Sequence, residues 1–107
     1  MKIKATSFFK KNIKNLKKRF PNILKDINEL IDELEKEPTL GISLGNNRYK
    51  IRLKNSDLNK GKSASYRVIT YLEIDEHLLL LTIYSKNSQE NIWDKEIDKI
   101  ISEYKAK

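Results

Sequence analysis

Side chains with the chemistry to bind and cleave a phosphodiester gather between positions 52 and 86 of this chain. Guanidinium groups hold a phosphate through paired hydrogen bonds and stabilise the extra negative charge of its transition state. A phenol or an ammonium group whose pKa is lowered by neighbouring cations can exchange protons with oxygen. This chemistry needs neither a metal ion nor another cofactor, and we expect neither. The candidates are Arg52, Lys60, Lys62, Tyr66, Arg67, Tyr84 and Lys86.

Three strand-like segments must bring these residues together. In the first, RYKIRLK at 48–54, apolar and basic residues alternate, which predicts one buried and one basic face. The second, YRVITYLEID, is apolar on both sides, as a central strand would be, and begins with Tyr66 and Arg67. In the third, alternation predicts that Leu78, Leu80, Thr82, Tyr84 and Lys86 share a face. An antiparallel meander of these strands collects the cations and phenols at one end of a sheet.

The rest of the chain predicts helices around this sheet. Two amphipathic segments separated by Pro21 form a helical hairpin, and a third helix with an apolar stripe ends the chain. A short strand at 2–5 opens it, so the predicted order is β-α-α-β-β-β-α. We expect one α+β domain over residues 1–107, with the hairpin packed on a small, mostly antiparallel sheet. Trp93 should be buried, and residues Leu16, Leu24, Ile27 and Leu34 should meet Ile51, Val68 or Ile69, and Leu81.

Composition excludes several classes of protein. The chain has 107 residues, no cysteine and one histidine, which argues against a disulfide framework or a structural zinc site. It has no run of about 18 apolar residues, which a membrane span requires. The basic N-terminal stretch has no apolar core of the kind found in signal peptides, so we expect a cytoplasmic protein.

The formal charge of +7 is unevenly distributed. Residues 1–20 carry eight cations and no acid, and residues 48–67 carry seven cations and one acid. Two basic patches on a small domain indicate a polyanionic partner. The alternative, a lysine-rich surface that is merely solvated, stays open at this point. If that partner is RNA, the residues expected to contact it lie in the first helix and around the loop between the first two meander strands. They are Lys10, Lys14, Lys17, Lys18, Lys54, Lys60 and Tyr66.

Other catalytic motifs are absent from the sequence. The one histidine, His77, falls in a predicted turn at the end of the sheet opposite Tyr84. The tripeptide GKS at 61–63 lacks the upstream glycine of a phosphate-binding P-loop. The acidic second helix is best explained as a solvated surface. An alternative remains for the candidates named above. The tyrosines are then only aromatic residues of the strands and the lysines only surface residues of the loop, without any catalytic role.

Several sequence runs in the same order resemble one family. The runs IKNLKKRFPNI, EPTLGISLG, YKIRL, NKGKSASYRVITY and LLLLTIYSKNSQENI are similar to segments of the RelE/ParE superfamily, toxins of type II toxin–antitoxin systems. The RelE-type and HigB-like branch is the most similar, and the resemblance covers nearly the whole chain. Ala64 and Ser65 stand where that branch often has two glycines.

The resemblance implies a compact fold like that of microbial RNases, a separately encoded antitoxin, and cleavage of mRNA on the ribosome. In such toxins the ribose 2′-hydroxyl attacks the adjacent phosphate without a metal. By position, Arg67 matches the phosphate-binding arginine of the family, Lys60 and Lys62 its basic loop, and Tyr84 and Lys86 its C-terminal active-site residues. The active-site histidine of several branches has no counterpart here, so a lysine or a tyrosine must act as the base. A ParE-like inhibitor of DNA gyrase and an inactive antitoxin-binding module remain the alternatives.

Overall fold

The computed structural model describes residues 1–58, 65–86, 92 and 94–106 of the chain. Its elements are β1 (Lys2–Ala5), α1 (Ser7–Lys17), α2 (Ile23–Lys36), β2 (Ile42–Gly45), β3 (Arg48–Lys54), β4 (Ser65–Leu72), β5 (His77–Ser85) and α3 (Asp94–Lys105). The α+β class is confirmed, and the predicted order gains one strand, β2, ahead of the meander. Within the described ranges, no helix combines the length and the apolar character that crossing a bilayer requires.

The five strands form one sheet in the order β1-β5-β4-β3-β2. Strand β1 runs parallel to β5, and every other neighbouring pair is antiparallel, which confirms the mostly antiparallel sheet. Strands β4 and β5 lie in the interior of the sheet with helices on both faces. Because both of their faces are covered, most of their residues are buried, and the majority are aliphatic or aromatic.

Strand β2 was not predicted because its sequence, ISLG, carries little strand signal. All four of its residues are exposed, so no alternation between buried and polar positions marks it. It is joined to β3 by Asn46 and Asn47, whose φ angles are 52° and 64°. Two successive residues with positive φ form the tight hairpin turn whose twist matches that of the strands, and asparagine tolerates this conformation.

Helices α1 and α2 pack on one face of the sheet, which we call the hairpin face. The buried cluster there joins Ile27 and Leu34 of α2 to Ile51 and Val68 of the sheet, and Leu16 packs against it, as predicted. Leu24 was predicted to join this cluster, but the prediction is wrong because its side chain is 43% exposed. It lies one position beyond the fully buried Ile23, about 100° further round the helix. Trp93 lies outside the described residues.

Helix α3 covers the opposite face, which we call the α3 face. Its apolar stripe packs on Ile69, Leu79 and Leu81, so the predicted contact of Leu81 with the hairpin is wrong. Two polar contacts fix the helix along the sheet: Arg48 of β3 forms an ion pair with Asp98, and the Lys105 ammonium lies 5.4 Å from the Tyr71 ring centre. The stripe consists of Ile97, Ile100 and Ile101.

Candidate active site

A row of three side chains crosses the sheet near the start of β4. Arg52 of β3 lies directly opposite Arg67 of β4, and Arg67 lies directly opposite Tyr84 of β5. Residues directly opposite one another in an antiparallel sheet point to the same face, with Cβ atoms about 4.5–5.5 Å apart. Tyr84 packs with Ile97 and Ile100 of α3, so the whole row lies on the α3 face. The structure thus brings together two guanidinium groups and a phenol that the sequence predicted as site residues.

Arg67 is the most unusual member of this row, because only 7% of its surface is exposed. Its Nη1 donates a hydrogen bond to the backbone oxygen of Tyr66, at 3.3 Å. Within the described part of the chain, no carboxylate forms an ion pair with Arg67 or with the neighbouring Arg52. Burying an unpaired charge is costly, and like charges directly opposite each other in a sheet repel. Two adjacent arginines with no counter-charge among the described residues are therefore suited to receive an anion.

Tyr84 is held as a neutral phenol. Burial raises the pKa of Tyr84, Arg67 acts in the opposite direction, and Glu96 of α3 adds to the rise. The net effect is a raised pKa, whereas the sequence suggested that cations would lower it. Desolvation outweighs the neighbouring guanidinium because the side chain lies beneath α3. The Tyr84 hydroxyl is buried and has no hydrogen-bond partner among the described residues. Near neutral pH it is equipped to donate a proton or a hydrogen bond and not to accept one as a base.

Strand β5 departs from the regular alternation that the sequence predicted. Leu78 and Leu80 face the hairpin, as Tyr84 also would by simple alternation, yet Tyr84 lies on the α3 face. Thr70 pairs with Leu80 while the preceding residue, Ile69, pairs with Thr82, so Leu81 is an extra residue in β5. Such a β-bulge shifts the strand by one position and exchanges its two faces. The prediction of a shared face for Leu80 and Tyr84 is wrong for this reason.

Lysines lie near the ends of the row. Lys54 is exposed at the end of β3, opposite Ser65. Lys86 directly follows β5, where its backbone N–H donates to the oxygen of Ser65, and it is half-buried. Lys60 and Lys62, which were predicted to serve the same site, lie outside the described residues, and their role stays a prediction.

The loop that leaves β3 starts from a fixed anchor on α2. The buried Asp26 carboxylate accepts hydrogen bonds from the backbone N–H and the hydroxyl of Ser56, at 3.0 and 3.1 Å. One residue later, the carboxylate of Asp57 accepts from the backbone and side-chain amides of Asn22, at 3.0 and 2.8 Å. The acids of α2 were expected to form a solvated face, and Asp26 is an exception because its side chain is buried.

Tyr66 does not belong to the row, although the sequence placed it among the RNA contacts. As the neighbour of Arg67 it points to the hairpin face, where it is fully buried and its ring meets Phe20 edge-on at 5.8 Å. Burial raises the pKa of Tyr66 far above its ordinary value, and the charges of Asp26 and Asp57 add to the rise. This side chain offers no surface to RNA, so we correct its assignment to a core position.

The remaining predicted residues occupy other surfaces. The four lysines of the first helical segment, Lys10, Lys14, Lys17 and Lys18, are all exposed. Because α1 packs on the hairpin face, these lysines form a basic surface separate from the row. His77 begins β5 at the far end of the sheet, where its Nδ1 lies 3.2 Å from a carboxylate oxygen of Asp75.

The sequence matches the model of a known protein family. The family model described as the RelE toxin of the RelE/RelB toxin–antitoxin system matches residues 1–106. No curated protein matches the chain.

Proposed function

The chain belongs to the RelE family of toxins from RelE/RelB toxin–antitoxin systems, and from this premise we propose that it cleaves mRNA on the ribosome. The observation that carries the proposal is the row of Arg52, Arg67 and Tyr84, in which neither guanidinium group forms an ion pair with a carboxylate of the described residues. A phosphodiester supplies the missing negative charge. The reaction needs an anion site and proton transfer, and the row offers both.

We assign the two arginines to the phosphate. In the proposed reaction the ribose 2′-oxygen bonds to the adjacent phosphorus while the bond from phosphorus to the 5′-oxygen breaks, which leaves a 2′,3′-cyclic phosphate and a 5′-hydroxyl. Negative charge grows on the phosphoryl oxygens in the transition state. Arg67 binds them from a position preorganised by burial, and preorganised donors are worth most where water is excluded. Arg52, exposed beside it, guides the substrate into place.

We assign the proton on the leaving 5′-oxygen to Tyr84. Its raised pKa keeps it protonated, so it can donate to the departing oxygen and cannot remove the proton of the 2′-hydroxyl near neutral pH. We propose that the base is a lysine in its neutral amine form, which takes up the proton of the 2′-hydroxyl. Lys54 and Lys86 are candidates near the row, and Lys60 and Lys62 are candidates outside the described residues. The exposed lysines of the first helix serve to bind ribosomal RNA, with an affinity that falls as salt rises.

We further propose that the RelB-type antitoxin covers this site from the edge of β3. Strand β2 pairs with β3 only as far as Lys50, so within the described residues the outer edge of 51–54 has no strand partner. A groove of about 530 Å³ runs between this edge and α2, with Leu30 and Leu40 in its lining. An extended segment can add to such an edge. The acidic residues of the added segment would lie over Arg52 and Lys54, on the α3 face. Its apolar residues would lie over the groove.

The deciding experiment measures both candidate targets of the superfamily. Production of the chain in cells should yield mRNA cleaved at discrete positions and plasmids of unchanged supercoiling. In vitro, single-turnover cleavage of mRNA on programmed ribosomes should require no divalent metal bound to the protein. The upstream fragment should end in a cyclic phosphate. Relaxed plasmids together with intact mRNA would refute the proposal and favour the gyrase alternative.

The location of the antitoxin has its own test. Binding should protect the backbone amides of residues 51–54 from hydrogen exchange. Association should slow with added salt, and Lys54→Glu should slow it further, because the attraction to an acidic segment is lost. Lys10→Glu, an equal charge change on the hairpin face, is the matched control and should have a smaller effect. Unprotected amides at 51–54 would contradict this placement.

A further inference from the structure

The extra residue in β5 decides which way Tyr84 points. Ahead of Leu81 the even-numbered residues of β5 face the hairpin, and beyond it the odd-numbered Ile83 does so. Tyr84 therefore turns to the α3 face, directly opposite Arg67. Without the bulge, the same sequence would direct the phenol into the apolar core beneath α1. The geometry of the row thus depends on a local irregularity that something must hold in place.

The bulge lies where β5 loses its outer neighbour. Strand β1 ends at Ala5, which pairs with Leu80, and beyond that pair the described residues contain no strand on this side of β5. Backbone groups at the outer edge of a bulged strand need other partners, because an unpaired buried donor or acceptor is costly. Here Thr6, at the corner between β1 and α1, and Asn12 of α1 provide these partners with their side chains.

Two side chains make these contacts. The hydroxyl of Thr6 donates to the backbone oxygen of Leu81 at 2.9 Å, and the same oxygen of Thr6 caps α1 by accepting from the backbone N–H of Phe9 at 3.0 Å. The Oδ1 atom of Asn12 accepts from the backbone N–H of Ile83 at 3.2 Å and from the hydroxyl of Thr82 at 2.8 Å. The backbone oxygen of Leu81 and the backbone N–H of Ile83 thereby have hydrogen-bond partners.

We propose that Thr6 and Asn12 are positioning residues, which hold the β5 bulge and thereby keep Tyr84 opposite Arg67. Neither residue lies on the α3 face or in the row, so each acts through the backbone of residues 81–83. The part of this inference that concerns cleavage rests on the proposed function, whereas the part that concerns the orientation of Tyr84 does not. No feature of the sequence distinguishes Asn12 from the other polar residues of the first helix, so only the folded structure identifies it.

The test compares Asn12→Leu, which has a similar size and no acceptor, with Asn12→Asp, which keeps the acceptor oxygen. Selective ¹³C labelling of the tyrosines allows the Tyr84 ring to be followed by NMR, together with its contacts to the methyl groups of Ile97 and Ile100. In Asn12→Leu the Tyr84 resonance should shift and these contacts should weaken. The single-turnover cleavage rate on saturating ribosomes should fall about tenfold or more, with the half-saturating ribosome concentration unchanged. Asn12→Asp should retain most of the wild-type values of both measurements.

A matched control separates positioning from stability. Leu16→Ala removes an apolar contact on the same helix, away from the bulge, and should lower the melting temperature while leaving the Tyr84 resonance in place. If Asn12→Leu does not fold, Thr6→Val takes its place with Thr6→Ser as the conservative partner. An unshifted Tyr84 in a folded Asn12→Leu or Thr6→Val protein would overturn the inference, whether or not the chain cleaves RNA. A displaced Tyr84 with undiminished cleavage would support the positioning and refute the catalytic role given to Tyr84.

Discussion

Replacing Arg67 with methionine should separate activity from stability. The arginine is 7% exposed, makes one 3.3 Å hydrogen bond to a backbone oxygen, and has no carboxylate partner among the described residues. A buried charge so weakly compensated adds little to folding, and apolar replacements of similar volume are often neutral or stabilising. We therefore expect the free energy of unfolding of Arg67→Met to be unchanged or raised by about 1–2 kcal/mol.

The same substitution should nearly abolish cleavage. Loss of one preorganised stabiliser of transition-state charge costs roughly 10²–10³ in rate, or about 2.7–4 kcal/mol. Single-turnover cleavage on programmed ribosomes, with a denaturant melt of each protein, measures both quantities. Arg67→Lys should recover little of the rate, because an ammonium group cannot reproduce the two parallel hydrogen bonds of a guanidinium.

Arg48 provides the matched control for this experiment. It lies on the same strand face as Arg52 but is paired with Asp98 of α3. Arg48→Met should lower the free energy of unfolding by roughly 0–1 kcal/mol, since Asp98 is largely exposed, and should leave cleavage by the folded protein unchanged. A folded Arg67→Met protein with wild-type cleavage, or equal losses of rate in the two variants, would refute the assignment of Arg67 to the phosphate.

Three further predictions follow from the burial of the tyrosines and of the core. The hydroxyls of Tyr66 and Tyr84 are both buried without a partner among the described residues, so each Tyr→Phe change should stabilise the protein by about 1 kcal/mol. Only Tyr84→Phe should slow cleavage, by about 10² or more. Equal cleavage rates in the two variants would contradict the role of Tyr84. Folding raises the pKa of both tyrosines, so their contribution to the free energy of unfolding should be fully present below about pH 10, the ordinary tyrosine pKa, and should be lost above it. Melts between pH 8 and 11.5 should show a smaller loss of stability at alkaline pH in the double Tyr→Phe variant. Leu30→Ala, at a position 1% exposed, should cost about 2–5 kcal/mol, and a shift in melting temperature no larger than that of the exposed Lys10→Ala would contradict the packing.

Local patterns in the sequence were sufficient for every element except β2 and for much of the row. The alternation in RYKIRLK fixed the two faces of β3, and the apolar spacing of the first 36 residues produced the helical hairpin. Arg52 and Arg67 were expected at one end of the sheet because an antiparallel connection returns the chain to the same place. These features depend on periodicity within a segment, which a single sequence displays directly.

Only the tertiary structure decided which face of the sheet the residues of β5 occupy and in which direction the pKa of Tyr84 shifts. A bulge is not visible in LLLLTIYSK, because it is stabilised by Thr6 and Asn12, which are some 70 residues away along the chain. Burial beneath α3 likewise reverses the expected direction of the Tyr84 pKa, and the same sheet sends Tyr66 into the core. These properties arise from contacts between segments far apart in the chain, and the desolvation and hydrogen bonds that such contacts produce have no counterpart in local sequence.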